Sequence, residues 1–345
     1  MPLVQVGHGN IRFWTGSVNM SGEPTVIRPE DGLLQVYPLD DFEDFRLIFG
    51  KWGGQFQQIS RGRFKGVARV YAGSMLRAFH VETNQAIFTR GLDRKDWVTI
   101  IPITALNEST LWRGRRVPRG RLLVKGPEVE YYNQTSRDTV IRALLVPVHI
   151  IERMTGPAAD VLVGRRSSSS VAVSPMDASM FRFEAALDDM LNPSEPITSI
   201  VSHQLELACL DRLADCLLDR RHDVKVDLLR TSRLELLNQA MDIMHRQLEK
   251  GLNARQLCAE LKVNDRILRR VFKDSFGAGP IVFFRLMRMN ALRRSLKSER
   301  SSGRSVAALA RRYGFTRLGT LAAEYRTQFG ELPSETLGVR GHKPQ

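Results

Sequence analysis

Residues 264–280 read NDRILRRVFKDSFGAGP, and residues 317–333 read RLGTLAAEYRTQFGELP. Leu268, Phe272, Phe276, Gly277 and Pro280 of the first stretch return as Leu321, Tyr325, Phe329, Gly330 and Pro333 of the second, each 53 positions later. Residues four apart share one face of a helix. A Gly directly after the last apolar residue suits a left-handed C-cap, and a Pro shortly afterwards cannot continue the helix. Each stretch therefore predicts one amphipathic helix with a defined stop. Each also follows a shorter apolar helix across a turn, at 254–261 and at 306–313. The pattern is two helix-turn-helix units in tandem, within an all-α segment spanning 231–345.

Charge agrees with that division. Of the 345 residues, Lys and Arg outnumber Asp and Glu by 29 to 27 over 1–230 and by 22 to 10 over 231–345, so nearly all of the +14 net charge lies in the last third. One part of the chain is suited to a polyanion and the other is not. Cys209, Cys216 and Cys258 have no metal-ligand spacing and read as small core residues of a protein in a reducing cytoplasm. No apolar run approaches the ~20 residues of a membrane span, and the amino terminus lacks a charged segment followed by an apolar core. The expectation is a cytoplasmic protein without a membrane partner.

Ahead of the basic segment, residues 45–49, 64–71, 75–83, 97–103, 121–124 and 139–148 alternate β-branched or aromatic residues with polar ones between Gly, Pro and Asn clusters, which predicts an antiparallel sandwich or barrel. The run Gly164-Arg-Arg-Ser-Ser-Ser-Ser170 has linker composition and is expected to end the β unit near Pro175. Asp177–Leu191 and 197–221 read as helices, the second with an apolar band (Ile197, Ile200, Val201, Leu205, Ala208, Leu210, Leu213, Leu217) suited to the β unit or to a second subunit. Leu234, Leu237, Ala240, Met241, Met244 and Leu248 predict a further helix covering the first helix-turn-helix. The fold class is thus α+β, with a β-rich domain at 1–163, a linker and helical connector at 164–230 and the double helix-turn-helix at 231–345.

In the first predicted recognition helix Ile267, Leu268, Val271, Phe272 and Ser275 share one arc, and Arg266, Arg269, Arg270 and Lys273 the other, with Asn264 as N-cap. Arg bonds guanine O6 and N7 bidentately, so Arg266, Arg269 and Arg270 are candidates for base contact and Lys273 for phosphate. The second helix keeps the apolar arc (Leu318, Leu321, Ala322, Tyr325, Phe329) but turns Thr320, Ala323, Glu324 and Thr327 outward. Arg317 and Arg326 there suit phosphate, and Glu324 either accepts from cytosine N4 or plays a local structural role. Residues 280–296 predict a rigid helix of ~24 Å between the units, near the ~34 Å between successive major grooves. Double-stranded DNA is the expected partner.

Residues 234–337 resemble the DNA-binding domain of the AraC/XylS family of bacterial transcription regulators. Leu257, Leu261, Val263, Arg266, Leu268, Phe272, Phe276-Gly277 and Pro280 carry it in the first unit. In the second it rests on Ala307, Leu309-Ala310, Tyr313-Gly314-Phe315, Tyr325-Arg326, Phe329-Gly330 and Pro333. The stretches 314–319 and 329–334 are similar to members related to the ethanolamine-operon regulator. The chain departs from the family pattern at Leu321 for the usual Phe, at Lys262 for the usual turn Gly, and at Thr320, where Arg or Ser is common. That last change puts a family-style base contact by Thr320 in question. The resemblance implies a cupin-like amino-terminal domain for effector sensing and dimerisation, an activator that engages RNA polymerase, and a homodimer without cofactor. Two other readings stand beside it. A cupin-type enzyme would have His80, Glu82 and His149 as its best metal-like set, without the close His pair such a site draws on. A general architectural DNA-binding protein would use the same cationic face without discriminating sequences. Trp52, Trp97, Trp112 and Tyr131 could line a ligand pocket or simply pack the core.

Overall fold

The computed structural model describes residues 34–49, 54–156, 170–194, 197–218, 220–226, 231–300 and 303–338. Trp52 and the first part of the Ser-rich stretch lie outside them. The β-rich part consists of β1 (Leu34–Leu39), β2 (Gln55–Gln58), β3 (Gly66–Ala72), β4 (Arg77–Thr83), β5 (Ile87–Leu92), β6 (Trp97–Ile103), β7 (Leu111–Trp112), β8 (Arg115–Arg116), β9 (Arg121–Lys125), β10 (Glu130–Gln134), β11 (Thr139–Pro147), β12 (Ser170–Pro175) and β13 (Arg220–Val226). Its helices are α1 (Asp44–Phe49), α2 (Val148–Thr155), α3 (Asp177–Leu191) and α4 (Ser199–Leu218). Two antiparallel sheets form, of order β1-β3-β4-β11-β6-β9-β12-β13 and β2-β5-β10-β7-β8.

The period of two along each strand decides what each face meets. On β6, Val98 and Ile100 join Ala78, Val124, Leu144 and Val146 in a core shared with Phe183, Leu187, Leu213 and Leu217 of α3 and α4. The alternate residues Thr99 and Ile101 line a cavity between the sheets, as do Phe79 and Val81 of β4 and Ile87 and Thr89 of β5. The far face of the small sheet gives Phe88 and Tyr132 to a third core shared with the carboxyl-terminal helices. Layers therefore run from helices to large sheet, cavity, small sheet and carboxyl-terminal segment.

That last segment comprises α5 (Thr231–Arg246), α6 (Ala254–Leu261), α7 (Asp265–Phe276), α8 (Pro280–Ser298), α9 (Val306–Arg312), α10 (Leu318–Phe329) and α11 (Pro333–Leu337). Three patches fasten it to the barrel. Phe88 packs edge-on against Phe276 and Phe283, with centroids 5.3 and 5.5 Å away, and Arg90 pairs with Asp242 at 2.7 Å. The backbone N–H of Gln58 donates to Asn290 Oδ1 at 3.0 Å, and Gln328 Nε2 donates to Ser60 O at 2.9 Å. In the third patch Asp41 accepts from both Nε and Nη2 of the buried Arg293, at 2.9 and 2.7 Å.

Three expectations are corrected. Residues 45–49, read as a strand, are helix α1. Asp44 Oδ2 accepts the backbone N–H groups of Asp40 and Asp41, and Phe45 and Phe49, four apart, pack together onto Phe56. A short apolar run such as FRLIF has no alternation to separate the two states. The β unit also does not end before Pro175. β12 pairs with β9 and with β13, so the predicted connector at 164–230 returns to the large sheet twice. Val171, Ala172 and Val173 stand together between the serines there, and the buried Ala172 and Val173 outweigh the linker-like composition. Finally, the apolar band of α4 divides: Leu213 and Leu217 are buried, whereas Ile200 and Val201 are exposed.

His80 on β4 is buried, with Glu82 at 3.8 Å, while His149 lies on α2. Burial, aided by the charges of Arg69 and Arg142, pulls the imidazole pKa down to about 4. Unfolded histidine protonates near 6.5, so between those values the unfolded chain binds the extra proton and stability falls as pH falls, by at most ~1.4 kcal/mol per pH unit. His80→Gln is expected to make the melting temperature less dependent on pH between 7 and 4. An unchanged slope would show that this imidazole does not contribute.

Candidate nucleic-acid interface

Helix α6 begins with a reciprocal cap. Asn253 Oδ1 accepts the N–H of Gln256 at 2.9 Å, and Gln256 Oε1 accepts that of Asn253 at 3.0 Å. It ends at Lys262, in the left-handed region at φ 53°, the conformation the usual turn Gly would adopt. Asn264 then caps α7 by accepting the N–H of Ile267 at 2.8 Å, and Gly277 closes the helix at φ 71°. Between those caps Leu268, Val271, Phe272, Ser275 and Phe276 are buried against α5, α6 and α8. The second unit repeats the scheme. Ser305 caps α9, Gly330 closes α10 at φ 76°, and Leu321, Tyr325 and Phe329 are buried.

What remains outside is the surface available to DNA. Arg266, Arg269, Arg270 and Lys273 are all exposed on α7. Arg270 has its side chain 83% accessible with Asp274 4.0 Å away, while Arg269 is held at 2.5 Å by Asp265 one turn earlier. Ile267, predicted on the inner arc, is 46% exposed, because the buried stripe runs through Leu268 and Val271 and leaves it to one side. On α10, Thr320, Ala323, Arg326 and Thr327 are exposed, as is Arg317 at its N-cap position. Glu324, predicted to face outward, is drawn to the flank by Arg285 of α8, whose Nε donates to its carboxylate at 3.0 Å. The same guanidinium lies over the Phe315 ring at 5.2 Å, so Glu324 is engaged by a neighbouring helix at the surface.

Both units are mounted on α8, an unbroken helix of 19 residues, or about 28 Å. The barrel meets each recognition helix near its carboxyl end, at Phe276 and at Gln328, and leaves the amino-terminal halves uncovered. That is the end which helix-turn-helix proteins turn toward base edges.

Residues 257–338 match a sequence family described as a helix-turn-helix domain. Over 105 residues the chain is 29% identical to the XylDLEGF operon transcriptional activator 2 of Pseudomonas putida, covering 30% of this chain and 67% of that protein. The carboxyl-terminal segment is an AraC/XylS-type DNA-binding domain. The AraC-type segment is also 29% identical over 102 residues to a probable thc operon regulatory protein of Rhodococcus erythropolis, 30% of this chain and 31% of that one. The chain thus spans about a third of that relative's length. Among solved structures, the AraC-like transcriptional activator CuxR overlaps 81% of this chain and all of its own, at 14% identity and a TM-score of 0.39. In this AraC-type domain the pairing of Glu324 with Arg285 was not legible beforehand, since their separation of 39 positions leaves no local pattern.

Two measurements test the assignment of roles. Arg270→Ala is expected to lower affinity for a specific site by about 1–3 kcal/mol and to relax the preference at one base pair, whereas Arg326→Ala should weaken binding evenly on all sequences. Titrations against matched and scrambled duplexes distinguish them, and equal losses on both duplexes for both variants would overturn the division. Asn264→Ala should destabilise the domain by ~1 kcal/mol through loss of the α7 cap, read by denaturant unfolding.

Proposed function

We propose that the protein is a sequence-specific transcription regulator that reads two adjacent major grooves, with α7 supplying most of the base contacts and α10 mainly backbone contacts and shape. The observation that carries this reading is the pair of capped recognition helices on one continuous helix, with Arg266, Arg269, Arg270 and Lys273 exposed on the first. Thr320 adds a base contact in the second unit, with Arg317 and Arg326 on phosphates. Activation through RNA polymerase follows the role given in the name of the Pseudomonas putida relative. The exposed Ile200 and Leu207 of α4 support a homodimer. No described helix is long and apolar enough to cross a membrane, and a DNA partner suits a cytoplasmic protein.

The β domain, in this reading, is the sensing part. Its cavity of ≈ 120 Å³ is lined by Phe45, Phe56, Ile101, Trp112 and Ile141, with Lys125 and Tyr131 as a polar corner. Lys125 is buried, pairs with Asp93 at 3.0 Å and lies over the Tyr131 ring at 3.9 Å. The buried indole N–H of Trp112 has no hydrogen-bond partner among the described residues. An apolar cavity of ~150 Å³ holds benzene, so this one suits a small, largely apolar effector with a single polar group.

Selection of genomic fragments by the full chain at physiological salt, followed by sequencing, tests the reading. A single motif with two parts about one helical turn apart is the expected result. Uniform recovery would favour a general architectural DNA-binding protein, and no recovery would reopen the enzymatic alternative.

A further inference from the structure

The cavity and the DNA-binding segment share one structural part. Phe45 and Phe49 on α1 line the cavity, packed on Phe56 and Phe79 with ring centroids 5.1 and 5.2 Å apart. The turn leading into α1 faces the other way and carries the acids that hold α8. Asp41 binds Arg293, Lys297 lies 3.1 Å from Asp41, and Glu43 receives Arg294 at 2.9 Å. This turn is bound to the helix rather than loosely attached. Asp44 Oδ2 accepts the N–H of Asp41 at 2.9 Å, and Asp41 Oδ1 accepts that of Glu43 at the same distance. A displacement of Phe45 and Phe49 must therefore carry Asp41 with it.

Arg293 is the receiving end. Its Nη1 donates to Glu331 at 2.8 Å and to Tyr325 Oη and Thr336 Oγ1 at 3.1 Å each, and its guanidinium lies 4.8 Å from the Phe329 ring centroid. These partners belong to α10, α11 and the turn between them, so one buried cation joins the barrel to the second helix-turn-helix. Phe42 adds an apolar contact by stacking on Phe329 at 6.2 Å. The first unit is held elsewhere, by Phe88 on the outer face of the small sheet. Cavity and second unit are thus connected through α1, whereas the first unit meets the cavity's small sheet through Phe88.

We propose that α1 is a relay: its aromatic side registers the filling of the barrel cavity, and Asp41 passes the resulting shift through Arg293 to the second helix-turn-helix. This rests on the regulator reading above and specifies its control. An occupant that pushes Phe45 outward moves the second recognition helix relative to the first and changes how well both fit one duplex. A buried cation has few alternative arrangements, so the shift is transmitted rather than absorbed.

Hydrogen–deuterium exchange on the full chain without DNA tests the relay. Ile141→Phe places a ring in the cavity from β11, away from α8, and stands in for an occupant. Exchange should change by about tenfold at 40–49 and at 318–337, while 265–276 stays within about twofold. With Asp41→Asn added, the change at 40–49 should persist and that at 318–337 should vanish. Phe45→Leu, which reshapes the same wall by removing atoms, serves if the filled variant does not fold. An altered 40–49 with an unaltered 318–337 in the single variant would overturn the proposal. So would a change at 318–337 that survives Asp41→Asn, since the signal would then travel through Gln58 and β2, and so would no change at 40–49 in either variant. Exchange is read without DNA, so failure here leaves the regulator reading intact, and absence of a genomic motif would remove that reading without touching the relay.

Discussion

The guanidinium of Arg293 sits where three parts of the chain meet, and it is nearly inaccessible to water. An isolated buried charge is costly, and removing one partner of a buried ion pair typically destabilises by about 3–5 kcal/mol. Here burial opposes the charged form, yet Tyr325, Asp41 and Glu331 outweigh it and hold the pKa above its ordinary value. Asp41 shows the complementary balance. Burial alone would raise its pKa, but Arg293 and Lys297 bring it below the usual carboxylate value. Each group is stable as an ion because the other is present. The barrel and the second helix-turn-helix are therefore held in one arrangement by a contact with little tolerance for separation.

The rest of the molecule arranges itself around two periodicities. In the strands a period of two gives each sheet two separate faces, so a single run such as Trp97–Ile103 supplies both the helical core and the cavity wall. In the basic segment a period near 3.6, with caps at fixed points, sets the recognition helices on α8 with their cations exposed. The cavity lies between the sheets and the carboxyl-terminal helices pack on the far side of the small sheet, so cavity and recognition helices occupy opposite sides of one thin layer.

Much of the carboxyl-terminal fold was legible because its signals are local. Asn264, Gly277 and Gly330 mark helix ends through the backbone conformation each favours, and α7 begins and ends, and α10 ends, where those residues indicate. The amino-terminal part was less readable. β2 reads QFQQ and β10 reads EYYNQ, polar runs whose strand character comes from their neighbours in the sheet. β12 lies in a stretch whose serines resemble a linker, and only its pairing partners distinguish the two. The fastening of barrel to DNA-binding segment was not legible at all. Asp41 and Arg293 are 252 positions apart, and no pattern within one element records such a pairing.

Gly330 carries a consequence of a different kind. It ends the second recognition helix in a left-handed turn, and a Cβ built there would lie 2.8–3.1 Å from the backbone and Cβ of Arg63 in the barrel. The same position is thus constrained from within its own helix and from across the domain boundary. Exchange of β domains between proteins of this architecture is limited accordingly. A foreign barrel joined to this DNA-binding segment would need a loop of matching height above Gly330, as well as an acid in the place of Asp41. Modularity in such a chain is a property of surfaces that fit, and it cannot be obtained from a linker alone.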